Sequence, residues 1–131
     1  MLVRWLMFVL GLLEVGNGAF MLLAPGVWFA VVPGVVETGP FNAHFVYDIG
    51  MAYIASGFCL AYAIRPGPAA AVVASAGAIW PVLHALVHIC GWVTNGFPRD
   101  SIVASSEVVG VVGVSLLGAV LAWRRLREER R

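Results

Sequence analysis

Lysine is absent from this chain, and charge of either sign is scarce: 11% of the residues are charged and 61% are hydrophobic. Water-soluble domains carry about 25% charged and about 45–50% apolar residues, so a water-facing surface over the whole molecule is excluded. The eight basic residues, all arginine, nearly balance seven acids. That leaves no strong overall field for a polyanion, and the aromatic residues do not interleave with the arginines as a base-stacking surface requires; no nucleic acid partner is expected. Cysteine is limited to Cys59 and Cys90, both inside apolar runs. Such a pair makes no metal or redox motif, and buried thiols behave as small hydrophobes. No dinucleotide-binding glycine fingerprint, P-loop or serine-hydrolase elbow is present.

What remains is grease in long runs. A spanning helix needs about 20 mostly apolar residues, and four stretches qualify, at about 5–24, 42–64, 69–93 and 102–123. Pro25 ends the first, Arg65-Pro66-Gly67-Pro68 the second and Thr94-Asn95-Gly96 the third, while Asp100-Ser101 supplies N-cap residues for the fourth. Asn42 has the side chain to cap the second span. Glu14 and Asn17 interrupt the first span, and no small-x-small cleavage site precedes Pro25; an uncleaved helix is expected there. The fold class expected is all-α: a single integral membrane domain over 1–131, a four-helix transmembrane bundle. A short interfacial segment between helices 1 and 2 carries Trp28 and runs from Gly26 to Pro40. Pro81 should kink the third span, and glycines such as Gly110, Gly113 and Gly118 should allow close helix packing.

The arginines orient the bundle. Arg4, Arg65 and the Arg-rich tail over 124–131 fall on one side; the first outer loop has Glu37 and no arginine, and Arg99 is offset by Asp100. Arginine favours the cytoplasm, so both termini are expected inside. The two cysteines then lie at opposite depths, well over about 15 Å apart, too far for a disulfide.

Ionisable and strongly polar residues break every span: Glu14 and Asn17, His44 and Asp48, His84 and His88, and Glu107. At about 1.5 Å per residue, His44 sits within about 3 Å of the outer end of its span, Glu107 and His88 about 8 Å in, Asp48 about 9 Å, Asn17 about 10 Å, His84 about 14 Å and Glu14 about 15 Å. All fall in the outer half, although alternate spans run in opposite directions. His44 and Asp48 are four apart, as are His84 and His88, so each pair shares a helix face. Such residues are costly in lipid and turn inward. His44, Asp48, His84, His88 and Glu107 are therefore candidate ligands of a divalent transition metal (Zn, Fe, Mn or Cu). Glu14, Asn17 and Tyr47 would support them. Three other readings stay open: hydrogen bonds that only fasten helices together, a haem b held by two histidines, and a small-ligand or proton-handling pocket.

The stretch from Val32-Pro33-Gly34 through Thr38-Gly39-Pro40-Phe41-Asn42-Ala43-His44-Phe45-Val46-Tyr47-Asp48-Ile49-Gly50 resembles a pattern in small bacterial inner-membrane proteins. In overall plan the chain is similar to DoxX-like four-helix proteins. The resemblance implies the fold and a bacterial inner membrane; it transfers no activity and no catalytic residue. The partners expected are the lipid bilayer and a homo-oligomer or larger membrane complex.

Overall fold

The computed structural model describes residues 1–130. Among them there is no strand, and four helices are long and apolar enough to cross a membrane: Leu2–Leu23, Ala43–Ile64, Pro68–Asn95 and Ser101–Glu128. The chain is an all-α, multi-pass membrane bundle.

The first span is a single helix, α1 (Leu2–Leu23). It breaks at Ala24, and Pro25, at a helical first position that needs no N–H, starts the short α2 (Pro25–Val31). A 3₁₀ turn (Val35–Thr38) follows, so the segment between the first two spans is helical in two pieces. The second span is α3 (Ala43–Ala61) with a closing 3₁₀ turn to Ile64. Asn42 caps it as expected, its Oδ1 accepting from the Phe45 amide at 3.3 Å.

The third span is broken into α4 (Pro68–Gly77) and α5 (Ile79–Asn95). The cause is Pro81. It has no N–H to return to the Gly77 carbonyl four residues earlier, and the helix resets at Ala78. Gly96 ends α5 at φ +90°, a conformation L side chains rarely adopt. The fourth span begins as α6 (Ser101–Ser105), capped by Asp100 Oδ1 on the amides of Ile102 and Val103 at 2.9 Å each. It widens into a π-helical segment (Ser106–Gly113) and closes as α7 (Val114–Glu128). The last span thus runs beyond 123 and takes Arg124, Arg125 and Arg127 into the helix.

The most extensive interhelical contact is the antiparallel pair α1 and α3. A Cβ on Gly11 would lie 2.5 Å from the Gly57 carbonyl oxygen, and one on Gly18 would lie 2.5 Å from that of Gly50. Both pairs let backbones touch, which is how helices associate in lipid, where apolar burial gives no drive. Gly77 meets α3 in the same way, 2.8 Å from Leu60 N. Gly110 and Gly118, by contrast, have open space where a Cβ would go, and Gly113 meets only the Val108 carbonyl of its own segment. The expectation that these three pack helices together is corrected: the close contacts belong to the first three spans.

The apolar core occupies one half of the bundle. Met7, Leu10, Leu60, Ala63, Ala74, Ala78, Leu121 and Ala122 pack there. Both chain ends and the middle loop close the same end. Arg4 Nη2 reaches Glu129 Oε1 at 3.3 Å, Glu129 also pairs with Arg125, and Arg125 donates to the Arg65 carbonyl at 3.2 Å. Arg125 is fully buried. Within the Arg-rich stretch that follows the fourth apolar run, this arginine is an internal clamp.

Candidate functional site

The other half of the bundle holds the polar residues, and the third span builds most of it. On α5, Trp80, His84, His88 and Trp92 recur at every fourth position, a spacing that puts them on one helix face. The Trp80 and His84 rings stack, 5.7 Å between centroids and 19° between planes. His88 meets His84 edge-on at 5.0 Å. Tyr53, from α3, turns its edge to both Trp80 and His84, at 6.3 and 6.0 Å.

Glu107 faces this column from the π-helical segment. Its Oε1 lies 3.5 Å from His88 Nδ1, and its Oε2 accepts from Trp92 Nε1 at 2.5 Å. The His88 and Glu107 side chains retain 24% and 19% of their surface, so the couple is sheltered but not sealed. A π turn is a costly backbone form that recurs at functional sites, and here it carries the acid. Gly34 sits above it. A Cβ there would stand 2.9 Å from Val103 Cγ1 and 3.7 Å from Glu107 Oε1, and the residue adopts φ +85°. Backbone conformation and crowding both demand glycine at that position. The segment between the first two spans therefore roofs Glu107. Asn17 secures the roof by accepting from Trp28 Nε1 at 2.9 Å.

Glu14 lies deeper, 7% exposed, and touches Ser56 Oγ at 2.5 Å. The same hydroxyl lies 2.7 Å from the Gly77 carbonyl oxygen, the acceptor that Pro81 leaves without a helical partner. Trp80 Nε1 is buried with no hydrogen-bond partner among the described residues.

His44 and Asp48 stand apart. They pair with each other at 3.5 Å, with side chains 87% and 53% exposed, and Tyr47 beside them is exposed as well. The expectation that their face turns inward is corrected: on α3 the inward face is given to Val46, Gly50, Ser56, Gly57 and Leu60. His84, His88 and Glu107 come together, as the depth argument expects. Glu14 and Asn17 line the same half through contacts of their own. Among the described residues, no group of three or more His, Cys, Asp or Glu side chains is placed to hold one metal ion, so the single five-ligand centre is divided into two separate groups. Sequence reasoning passed over Tyr53, Trp80, Trp92 and Ser56; the four-residue spacing of Trp80, His84, His88 and Trp92 was the available signal. Cys59 and Cys90 are free thiols.

No family model, no curated protein and no solved structure matches this chain.

Proposed function

We propose that this chain is a membrane subunit that exchanges protons with one side of the bilayer through the Glu107, His88 and His84 group. The observation that carries this reading is the sheltered His88–Glu107 couple, joined edge-on to a second imidazole beneath a roof and mounted on a π turn. Imidazole titrates near neutral pH, and chains of His and acid residues inside membranes serve as proton relays.

The row leads inward. Tyr53, against His84, is three residues from Ser56 on α3, so both lie on one helix face. Ser56 has one proton to give. The Gly77 carbonyl can only accept, so both Ser56 contacts are satisfied together only when Glu14 carries a proton. Beyond Glu14 the apolar core closes the path. A proton entering from the polar half is held there; passing it on requires a partner subunit or a rearrangement. By the weight of arginine at the clamped end, the polar half faces the outside of a bacterial inner membrane and both termini face the cytoplasm.

The second reading is structural, and one observation favours it: both Glu107 oxygens are already engaged, which fastens α5 to the fourth span. Sided pH jumps on oriented proteoliposomes separate the two. Protonated imidazole quenches an adjacent indole, so tryptophan emission from Trp80 and Trp92 reports on the group. External acidification should quench within mixing time and internal acidification should not, and His84→Gln with His88→Gln should abolish the response. No quenching that depends on these histidines, or equal quenching from both sides, overturns the proposal. Under the structural reading Glu107→Gln lowers stability and nothing else.

A further inference from the structure

The exposed pair His44 and Asp48 carries a separate inference. The second span covers 22 residues, Ala43–Ile64, or about 33 Å of helix, which matches a hydrocarbon thickness of about 30 Å. Asp48 is five residues inside its first residue, about 7 Å below the edge, with a side chain 53% exposed on the outer surface of the bundle. A carboxylate facing lipid at that depth is expensive, and such groups are normally paired or coordinated. His44, one turn above at i−4, presents an imidazole on the same face and is 87% exposed. One chain thus offers two metal donors side by side, and among the described residues no third joins them.

A second copy supplies the rest. Copies inserted in the same orientation are related by a two-fold axis along the membrane normal, so identical residues meet at identical depth. If α3 of one copy faces α3 of the other, two histidines and two aspartates converge at one level. Below them on the same stripe lie Met51, Ala55, Phe58 and Tyr62, all exposed in the single chain and apolar enough to pack against their counterparts. We propose that His44 and Asp48 form half of a zinc site, completed by the same two residues of a second copy. Two neutral imidazoles and two carboxylates make a four-coordinate N₂O₂ set that zinc accepts. Two aspartates cancel the charge of the ion, so the buried unit is neutral and its cost in lipid falls.

The test uses the full chain purified in detergent micelles, stripped with a chelator and titrated with zinc alone. Sedimentation should shift from monomer to dimer, with one zinc bound per two chains. His44→Ala and Asp48→Asn should each lose both the zinc and the dimer. Both side chains are exposed, so helicity by circular dichroism should not change. His84→Gln and Glu107→Gln should retain zinc and dimer, which separates this proposal from the proton-exchange site. Zinc bound one per monomer, a dimer that survives chelation, or binding unaffected by His44→Ala and Asp48→Asn overturns it.

Discussion

The Ser56 hydroxyl of α3 lies 2.7 Å from the Gly77 carbonyl oxygen at the end of α4. A serine on one helix thereby satisfies the acceptor that a proline on the next has left free. In lipid no water is at hand to do this, so freed backbone groups are taken up by neighbouring side chains. Ser56→Ala should cost about 1–2 kcal/mol in denaturant unfolding of the solubilised protein. Pro81→Ala restores the N–H that Gly77 lacks, so in the double variant Ser56→Ala should cost less than it does alone. Equal costs with and without Pro81 would show that the proline is not the source of the free carbonyl.

The glycines divide into two classes with opposite expectations. A Cβ on Gly57 would stand 2.6 Å from the Gly11 carbonyl oxygen, whereas one on Gly118 would meet nothing within 4 Å. Gly57→Ala should destabilise by about 1–3 kcal/mol, the usual cost of overpacking. Gly118→Ala should stabilise by up to about 1 kcal/mol through helix propensity. Melting temperatures of the two variants in one detergent check both signs at once.

Gly34→Ala should strain the roof. The left-handed backbone costs an L residue about 1–2 kcal/mol, and the added methyl displaces Val103. The expected outcome is a small loss of stability with faster hydrogen exchange at the Trp92 indole N–H, because Glu107 loses its cover. Unchanged exchange at that proton would mean that the segment does not roof the site.

At the clamped end, the hydrogen bond from Arg125 holds the Glu129 carboxyl below its ordinary value of 4.5, and the charges of Arg125 and Arg4 lower it further. A group depressed in the folded state contributes fully above the ordinary value and loses that contribution as pH falls through the folded one. Thermal stability should therefore decline as pH drops below about 4.5. Glu129→Gln should be less stable at neutral pH and should show a flatter acid limb. Identical limbs for the two proteins would remove Glu129 from the clamp.

The spans were legible in the sequence because length and hydropathy alone decide them, and the caps at Asn42 and Asp100 were legible because their side chains act locally. The grouping of His84, His88 and Glu107 was legible too, since their matching levels follow from counting along each helix. Rotation was not. In a soluble helix the polar face marks the outside; in lipid both faces of α3 are apolar, so nothing local showed that His44 and Asp48 look outward. The informative marks were Gly50 and Gly57, which fix the inward face by letting α1 approach. The π segment was also hidden: Ser106 to Gly113 reads as an ordinary apolar helix, and the wide turn goes with Glu107 reaching both His88 and Trp92.

The two contacts Gly11–Gly57 and Gly18–Gly50 are seven residues apart on each helix, close to two full turns. Sliding α1 along α3 by one residue would drive a side chain into backbone at both places. The first two spans therefore form a keyed stave of fixed length. Where a bilayer is thicker or thinner than the hydrophobic span, helices that can slide adjust one by one, but this pair can only lean as a unit. A change of membrane thickness should then tip α1 and α3 together, with α4, keyed to α3 at Gly77, carried along as far as the break at Ala78.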